Sequence, residues 1–264
     1  MDKNVKKKLA IFAITIFMTA TVTGQIDISD SKPIHQIGIV LGGVHYQVRD
    51  DIIAPLRWDG LGFVGGLSYS LIGDKGRHNI DLRVLYAPLS NRYEHNNKAG
   101  EIYLGYSYLH RIAGKESDSQ FHLGGLIDWN YNAQYYDNWD DSHIYWLNVY
   151  ELGPVARWSN IIEENHQLAL RFNFSLIALV SRPPIYRYYD QEKLSELFSK
   201  PHENMELTGI PEYMSIELRG DYLYQVSRKF AMGVNYFLIY KTFSKPERIS
   251  LFTNTLQLNL LFTL

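Results

Sequence analysis

The sequence contains no cysteine, and it has little imbalance between positive and negative charge. Without thiols, cysteine catalysis and cysteine metal sites are excluded, and no disulfide contributes to stability. The formal net charge of -2 gives no excess of positive charge for binding the phosphates of nucleic acid. We therefore expect no nucleic-acid partner, and no sequence motif calls for a cofactor or a metal ion.

Long hydrophobic runs are also missing beyond the first 24 residues. A membrane-spanning helix needs roughly 20 consecutive apolar residues, so a helical membrane protein is excluded. The mean hydropathy is -0.21. A transmembrane β-barrel keeps such a low average because only alternate residues of each strand face lipid.

The amino-terminal segment has the pattern of an export signal. Lys3, Lys6, Lys7 and Lys8 precede an apolar run over residues 9–20, which is too short for a spanning helix. Small residues then precede Gln25, as in a signal peptide. We expect cleavage between Gly24 and Gln25. This leaves residues 25–264 as one domain, and an uncleaved membrane anchor is the alternative.

Apolar and polar residues alternate at the carboxyl end with a period of two. One face carries Leu256, Leu258, Leu260, Phe262 and Leu264. The other face carries Thr255, Gln257, Asn259 and Thr263. A strand with lipid on one side and a wet lumen on the other has this pattern.

Similar alternation recurs along the chain and predicts about ten strands. The seventh is the clearest, with Leu168, Leu170, Phe172, Phe174, Leu176, Ala178 and Val180 on its outward face. In the sixth, the phase changes near residues 151–154, which predicts a β-bulge. We predict an all-β fold, a closed antiparallel up-and-down transmembrane β-barrel of about ten strands. Eight or twelve strands, or a secreted β-sandwich, are the alternatives.

The predicted connections alternate in length. Short turns follow even strands and longer loops follow odd strands, as expected for a barrel with its amino terminus in the periplasm. The longest is an external loop near residues 182–213. The chain also has 20 Tyr, 12 Phe and 5 Trp, and barrels place aromatic residues in girdles at both membrane surfaces.

Together, the export signal, the alternating strands and the carboxyl-terminal amphipathic strand resemble those of bacterial outer-membrane β-barrel proteins. The Gln25 start and the tyrosine content are similar to small barrels of Bacteroidota. This resemblance implies a Gram-negative outer membrane as the location. It also implies outer-membrane lipid, lipopolysaccharide and the outer-membrane assembly machinery as partners.

Charged residues of both signs occupy the inward positions of the predicted strands. In a narrow lumen such groups pair across the barrel, which favours a closed polar network over a porin-like pore with a charged constriction. The predicted network comprises Asp81, Arg83, Glu101, Arg111, Asp128, Arg171, Glu217, Arg219 and Asp221, and Arg157 also points inward.

Two loops carry the other candidate sites. The first contains Asp140, Asp141 and His143, which suit a solvated turn, a divalent cation site or an acid/base site resembling that of omptin proteases. The second contains the possible ligand-binding residues Tyr186, Arg187, Tyr188 and Tyr189, which suit an extracellular protein or glycan. We expect a non-enzymatic barrel that acts in surface binding or envelope structure through these loops, or as a narrow pore. A membrane-embedded hydrolase, omptin-like or lipid-acting, is the alternative.

Overall fold

The computed structural model describes residues 33–114, 118–136, 143–163, 165–183, 200–203 and 205–264. Within these ranges the chain is almost entirely β-strand. The strands are β1 (Ile34–Asp50), β2 (Ala54–Ile72), β3 (Gly76–Ser90), β4 (Asn96–Ala113), β5 (Ser119–Tyr136), β6 (His143–Glu163), β7 (His166–Phe174), β8 (Ile177–Ser181), β9 (Glu206–Gly209), β10 (Tyr213–Ser227), β11 (Phe230–Phe243) and β12 (Ile249–Thr263). One 3-10 turn covers Lys200–His202. In the described part of the chain, no helix is long and apolar enough to cross a membrane.

Ten of these strands close into an antiparallel barrel, which confirms the predicted fold and strand number. Around the cylinder the order is β1, β2, β3, β4, β5, β6, β7, β10, β11 and β12, and β12 pairs back with β1. The two short strands β8 and β9 are additional to the ten. β8 pairs with β6 beyond the end of β7, and β9 pairs with β8. Closure leaves no unpaired edge along the ten strands.

Large apolar side chains cover the outer face of the barrel. The predicted alternation of β12 is present, because Leu256 and Leu258 are 59% and 65% exposed whereas Gln257 is 2% exposed. The other strands contribute outward residues of the same kind. They include Ile37, Ile39, Leu41, Leu61, Phe63, Leu67, Leu82, Val84, Leu104, Leu123, Leu170, Phe172, Leu218 and Val234. We call this surface the apolar belt.

The strands are longer than the apolar belt. On β1 the belt lies between outward-facing His35 and His45, an interval close to the roughly 9–11 residues that a tilted strand needs to cross a bilayer. β1 then continues to Asp50, and its outward residues there are Gln47 and Arg49. The strands therefore extend beyond the belt at one end.

We name the two ends by their connections. The loop end contains the connections 51–53, 91–95 and 244–248, and the turn end contains 73–75 and 228–229. The strands take up most of the segments 49–59 and 90–100, which the alternation pattern assigned to loops. The predicted contrast in connection length is therefore weaker than expected. Inward side chains of these segments, such as Trp58 and Ala99, are buried in the barrel interior, which stabilises the strand conformation.

The prediction of a bulge in β6 is wrong, because β5 and β6 pair without a register shift through residues 151–154. The extra residue lies on the other side of β6, between β7 and β8. Val155 pairs with Asn173, and Leu152 pairs with Ile177, so two residues of β6 oppose three residues of the neighbouring chain. This bulge brings two consecutive apolar residues, Leu176 and Ile177, to the exposed surface.

Because of the same bulge, the side chains of β8 that were predicted to face outward face the interior instead. Ala178 and Val180 were expected on the outward face, but they are 1% and 2% exposed and pack inside the barrel. An inserted residue reverses which side chains face inward, since alternate side chains of a strand point to opposite faces. The sequence does not reveal this reversal, because the inward and the outward residues of β8 are both apolar.

Candidate functional site

Apolar side chains, which we call the apolar plug, make up most of the interior of the barrel at the loop end. Sequence alternation predicted a polar interior throughout, so this is a correction. A buried ion pair lies at the same end, where Arg182 Nη2 is 2.6 Å from Asp50 Oδ1. The apolar plug consists of Val44, Tyr46, Val48, Ile53, Trp58, Val64, Leu85, Ala87, Leu89, Ala99, Tyr136, Leu147, Val149, Ala178, Val180, Tyr213, Phe243, Ile249 and Leu251. These residues are buried although they point into the lumen, because side chains from opposite strands meet there.

Contacts across the lumen hold the apolar plug together. Trp58 of β2 packs edge-to-face on Tyr136 of β5, with ring centroids 5.2 Å apart. Tyr46 of β1 accepts a hydrogen bond at its hydroxyl from Nδ2 of Asn132 on β5, at 2.6 Å. Neither contact joins neighbouring strands, so both cross the lumen. The two contacts therefore bridge opposite walls of the lumen at this level.

Next to the apolar plug lies a layer of paired charges. Arg83 Nη2 is 3.1 Å from Glu217 Oε2, and both side chains are nearly buried. The Arg83 guanidinium also lies over the rings of Tyr103 and Phe237, at 4.0 Å and 4.7 Å from their centroids. The predicted residues Arg83 and Glu217 are therefore brought into direct contact across the lumen.

A second pair in this layer was missed by the sequence reasoning. Lys241 Nζ lies 3.6 Å from Glu151 Oε1, and the Tyr213 hydroxyl donates to Glu151 Oε2 at 2.8 Å. Lys241 occupies an inward position of β11, and its alternation with outward Tyr240 was the available signal. The predicted bulge at residues 151–154 hides the inward position of Glu151.

The predicted residues Glu101 and Asp128 line the same layer. Glu101 Oε1 accepts a hydrogen bond from Asn130 Nδ2 at 2.7 Å. Asp128 is 5% exposed, and its Oδ1 has no hydrogen-bond partner among the described residues. Both carboxylates line a small cavity with Glu151, Glu217 and Lys241. In the described part of the chain, no group of His, Asp or Glu side chains has the arrangement of a metal site.

Arginines dominate the lumen towards the turn end. Arg219 Nε donates to Asp221 Oδ1 at 2.6 Å. Asp81 lies 3.9 Å from a guanidinium nitrogen of both Arg171 and Arg219. Arg77, which the sequence reasoning did not select, lines the same cleft, as does Arg157. The predicted Arg111 lies apart from this group, where its Nη2 donates to the backbone carbonyl of Asp74 in a turn.

The other predicted site residues cannot be placed. Asp140, Asp141 and the side chain of His143 lie outside the described residues, and so do Tyr186, Arg187, Tyr188 and Tyr189. The cation-binding, hydrolytic and ligand-binding interpretations of those two loops stay predictions.

An exposed ion-pair triad lies at the loop end, beyond the apolar belt. Lys245 Nζ is 2.9 Å from Glu206 Oε1 and 2.8 Å from Glu212 Oε2. The hydrogen bond from Lys245 lowers the pKa of Glu212, and a second bond from Thr208 adds to this effect. The same hydrogen bond from Lys245 to Glu212, followed by that to Glu206, raises the pKa of Lys245. The triad joins the connection 244–248 to the segment before β10.

Histidine and tyrosine side chains pair on the outer face near the turn end. A hydrogen bond joins His35 Nδ1 to the Tyr69 hydroxyl at 2.7 Å, and another joins His78 Nδ1 to the Tyr106 hydroxyl at 2.9 Å. His166 forms the same contact with Tyr222 at 2.6 Å. Amphipathic rings are typical of the boundary between the hydrocarbon core and water. These pairs mark the edge of the apolar belt.

No protein-family model matches the sequence, and no curated protein matches it significantly. The fold resembles several solved structures, which are bacterial outer-membrane β-barrels. The translocator domain of the autotransporter NalP from Neisseria meningitidis is 8% identical, with a TM-score of 0.44, and 97% of each chain is covered.

Two further structures are similar in the same way. The β domain of the Bordetella autotransporter Brka is 10% identical, with a TM-score of 0.48, covering 88% of this chain and 100% of that one. An outer membrane channel from Pseudomonas putida F1 is 10% identical, with a TM-score of 0.38, covering 92% of this chain and 100% of that one.

Proposed function

We propose that this protein is an integral β-barrel of a Gram-negative outer membrane with a sealed lumen, and that it acts in surface binding or envelope structure rather than as a pore or an enzyme. The observation that carries the proposal is the apolar plug, which makes up most of the barrel interior at the loop end. A pore would need a continuous polar path through that level.

The outer surface supports insertion into a bilayer. Monomeric soluble proteins rarely expose contiguous apolar patches larger than a few hundred Å². Here exposed leucines and phenylalanines surround the whole cylinder, and Leu61 and Phe63 are 75% and 76% exposed. Hydrocarbon around the apolar belt removes this surface from water, while closure of the barrel satisfies the backbone hydrogen bonds.

Two separate barriers support a sealed lumen. The apolar plug is a barrier to ions at the loop end, because an ion that loses its hydration there meets mostly apolar side chains. The layer below it is crossed by the contact between Arg83 and Glu217. Removing one barrier therefore leaves the other in place.

The loop end is the proposed external surface. Arg49 and Arg57 lie on the outer face beyond the apolar belt, and their side chains are 55% and 61% exposed. Guanidinium groups bind phosphate well, so these residues suit the phosphate groups of lipopolysaccharide. The same end presents the Lys245 triad and the connection 91–95 to an extracellular protein or glycan.

Conductance measurements test this proposal. The mature protein is refolded in detergent, reconstituted into liposomes and shown to co-float with them. It is then added to a planar lipid bilayer with 1 M KCl on both sides. We expect a flat current at all voltages. Reproducible single-channel steps from the wild-type protein would contradict the sealed lumen, and failure to co-float with liposomes would contradict membrane insertion.

A further inference from the structure

Three arginines stand side by side on the inner face of the barrel, on three neighbouring strands. Arg157 of β6 pairs directly with Arg171 of β7, and Arg171 pairs directly with Arg219 of β10. We call these three residues the arginine row. Like charges directly opposite each other on adjacent strands are destabilising. The row therefore opposes folding unless something compensates its charge.

The carboxylates beside the arginine row, among the described residues, neutralise only part of its positive charge. Arg219 is hydrogen bonded to Asp221, and Asp81 is shared between Arg171 and Arg219 at 3.9 Å, too far for a hydrogen bond. Arg77 adds a fourth guanidinium, and its partners are the neutral side chains of Ser70 and Asn79. The four guanidinium groups thus face two carboxylates.

Arg157 is the decisive residue. It is 7% exposed, it lines the cleft, and among the described residues it has neither a hydrogen bond nor an ion pair. His122, directly opposite Arg157 on β5, supplies no negative charge. A buried guanidinium without a partner is costly, since charge is rarely buried unless it is paired.

Carboxylates of the adjacent layer are mostly engaged elsewhere. Glu217 is held by Arg83, and Glu151 is held by Lys241 and Tyr213. Glu101 accepts a hydrogen bond from Asn130. Asp128 lines the cavity of that layer and not the cleft beside the arginine row. The excess positive charge of the arginine row therefore faces the cleft.

The cleft is large enough for a small solute. About 40 Å³ near the turn end can hold the centres of water-sized groups, and a single water needs only about 10–15 Å³ on this measure. The lining includes Ser68, Ser70 and Asn79 as further hydrogen-bonding groups. In the proposed function, on which this step rests, the apolar plug seals the opposite end of the lumen. A solute would therefore reach the cleft from the turn end.

We propose that the arginine row, together with Arg77, binds a small tetrahedral oxyanion such as phosphate or sulfate inside the lumen. Planar guanidinium groups donate paired hydrogen bonds to such oxygens, and Arg157 has its donors free for this purpose. A doubly charged oxyanion balances the excess of two positive charges. The bound anion would also stabilise the barrel, because it binds the folded state alone.

Anion-dependent stability tests the proposal. The mature protein in detergent is titrated with sodium phosphate, sodium sulfate or sodium chloride at constant ionic strength, and the midpoint of thermal unfolding is followed. We expect phosphate and sulfate to raise the midpoint in a saturable way, and chloride to leave it unchanged. Equal responses to all three anions would overturn the proposal.

Variants locate the site. We expect Arg157→Gln to weaken phosphate binding at least tenfold, measured by isothermal titration calorimetry. It should not lower the unfolding midpoint in chloride, because it removes an unpaired charge. Arg248→Gln, in the exposed connection 244–248 at the opposite end of the barrel, is the matched control and should bind phosphate like the wild type.

Wild-type phosphate affinity in Arg157→Gln would overturn the assignment. If this variant does not fold, Arg157→Lys provides the test, since it keeps the charge but loses the planar donor pair. It should bind phosphate more weakly than the wild type, and undiminished affinity would likewise overturn the proposal.

Discussion

Arg83 and Glu217 lie on strands directly opposite each other in the ten-stranded ring, yet their side chains meet at 3.1 Å across the lumen. A contact between opposite walls is possible only because the barrel is narrow. Removing one partner from such a buried pair leaves an uncompensated charge, which is strongly destabilising.

We therefore predict that Arg83→Met lowers the free energy of unfolding by about 3–5 kcal/mol, the range typical of a broken buried pair. Glu217→Gln should have a similar effect. The double variant should recover a large part of the loss, because it leaves no lone charge. Urea unfolding in lipid vesicles measures the three values, and additive losses would show that the two residues are not coupled.

Arg49→Gln is the control for this cycle. Arg49 pairs with Asp51 at 2.8 Å, but its side chain is 55% exposed. Exposed pairs contribute only about 0–1 kcal/mol, so this variant should unfold close to the wild type.

A second prediction concerns acid sensitivity at the loop end. Lys245 lowers the pKa of Glu212 through a hydrogen bond, so ionised Glu212 favours the folded arrangement. This contribution is fully present above the ordinary pKa of a glutamate, and it is lost as the pH falls through the lowered value. A carbon-13 NMR titration of the Glu212 carboxyl should give a lower midpoint in the wild type than in Lys245→Met. Identical midpoints would remove the triad as the cause.

The third prediction concerns export. The mature protein should begin at Gln25, because small residues precede that position and cleavage signals require them. Intact mass spectrometry of protein isolated from the envelope measures this. Gly24→Leu should slow the cleavage. Envelope protein that still begins at Met1 would favour the uncleaved anchor.

Alternation of apolar and polar residues was sufficient to predict the ten-stranded barrel. It also predicted, for most strands, which side chains point outward and which point into the lumen. Leu256, Leu258 and Leu260 could be assigned outward because Gln257 and Asn259 separate them. Alternation does not identify the inward face of a strand where both faces are apolar. Ala178 and Val180 belong to the apolar plug, while neighbouring Leu176 lies outside, and no polar residue marks the reversal between them.

The lumen shows a second limit of sequence reasoning. The inward positions of Arg157, Arg171 and Arg219 could be predicted strand by strand. Their direct juxtaposition depends on the register of β6, β7 and β10, which the sequence of one strand does not contain. Contacts across the barrel, such as that of Arg83 with Glu217, depend on closure as well.

The most direct test of the central claim is a spin-label scan along β12. The protein lacks native cysteine, so single cysteines at positions 256 to 261 can each carry one nitroxide in the reconstituted barrel. Collision with oxygen reports contact with lipid, and collision with a water-soluble nickel complex reports contact with water. We predict high oxygen accessibility at Leu256, Leu258 and Leu260 and low accessibility at Gln257, Asn259 and Leu261. Equal accessibility along the strand, or the opposite phase, would contradict a barrel whose apolar belt faces hydrocarbon.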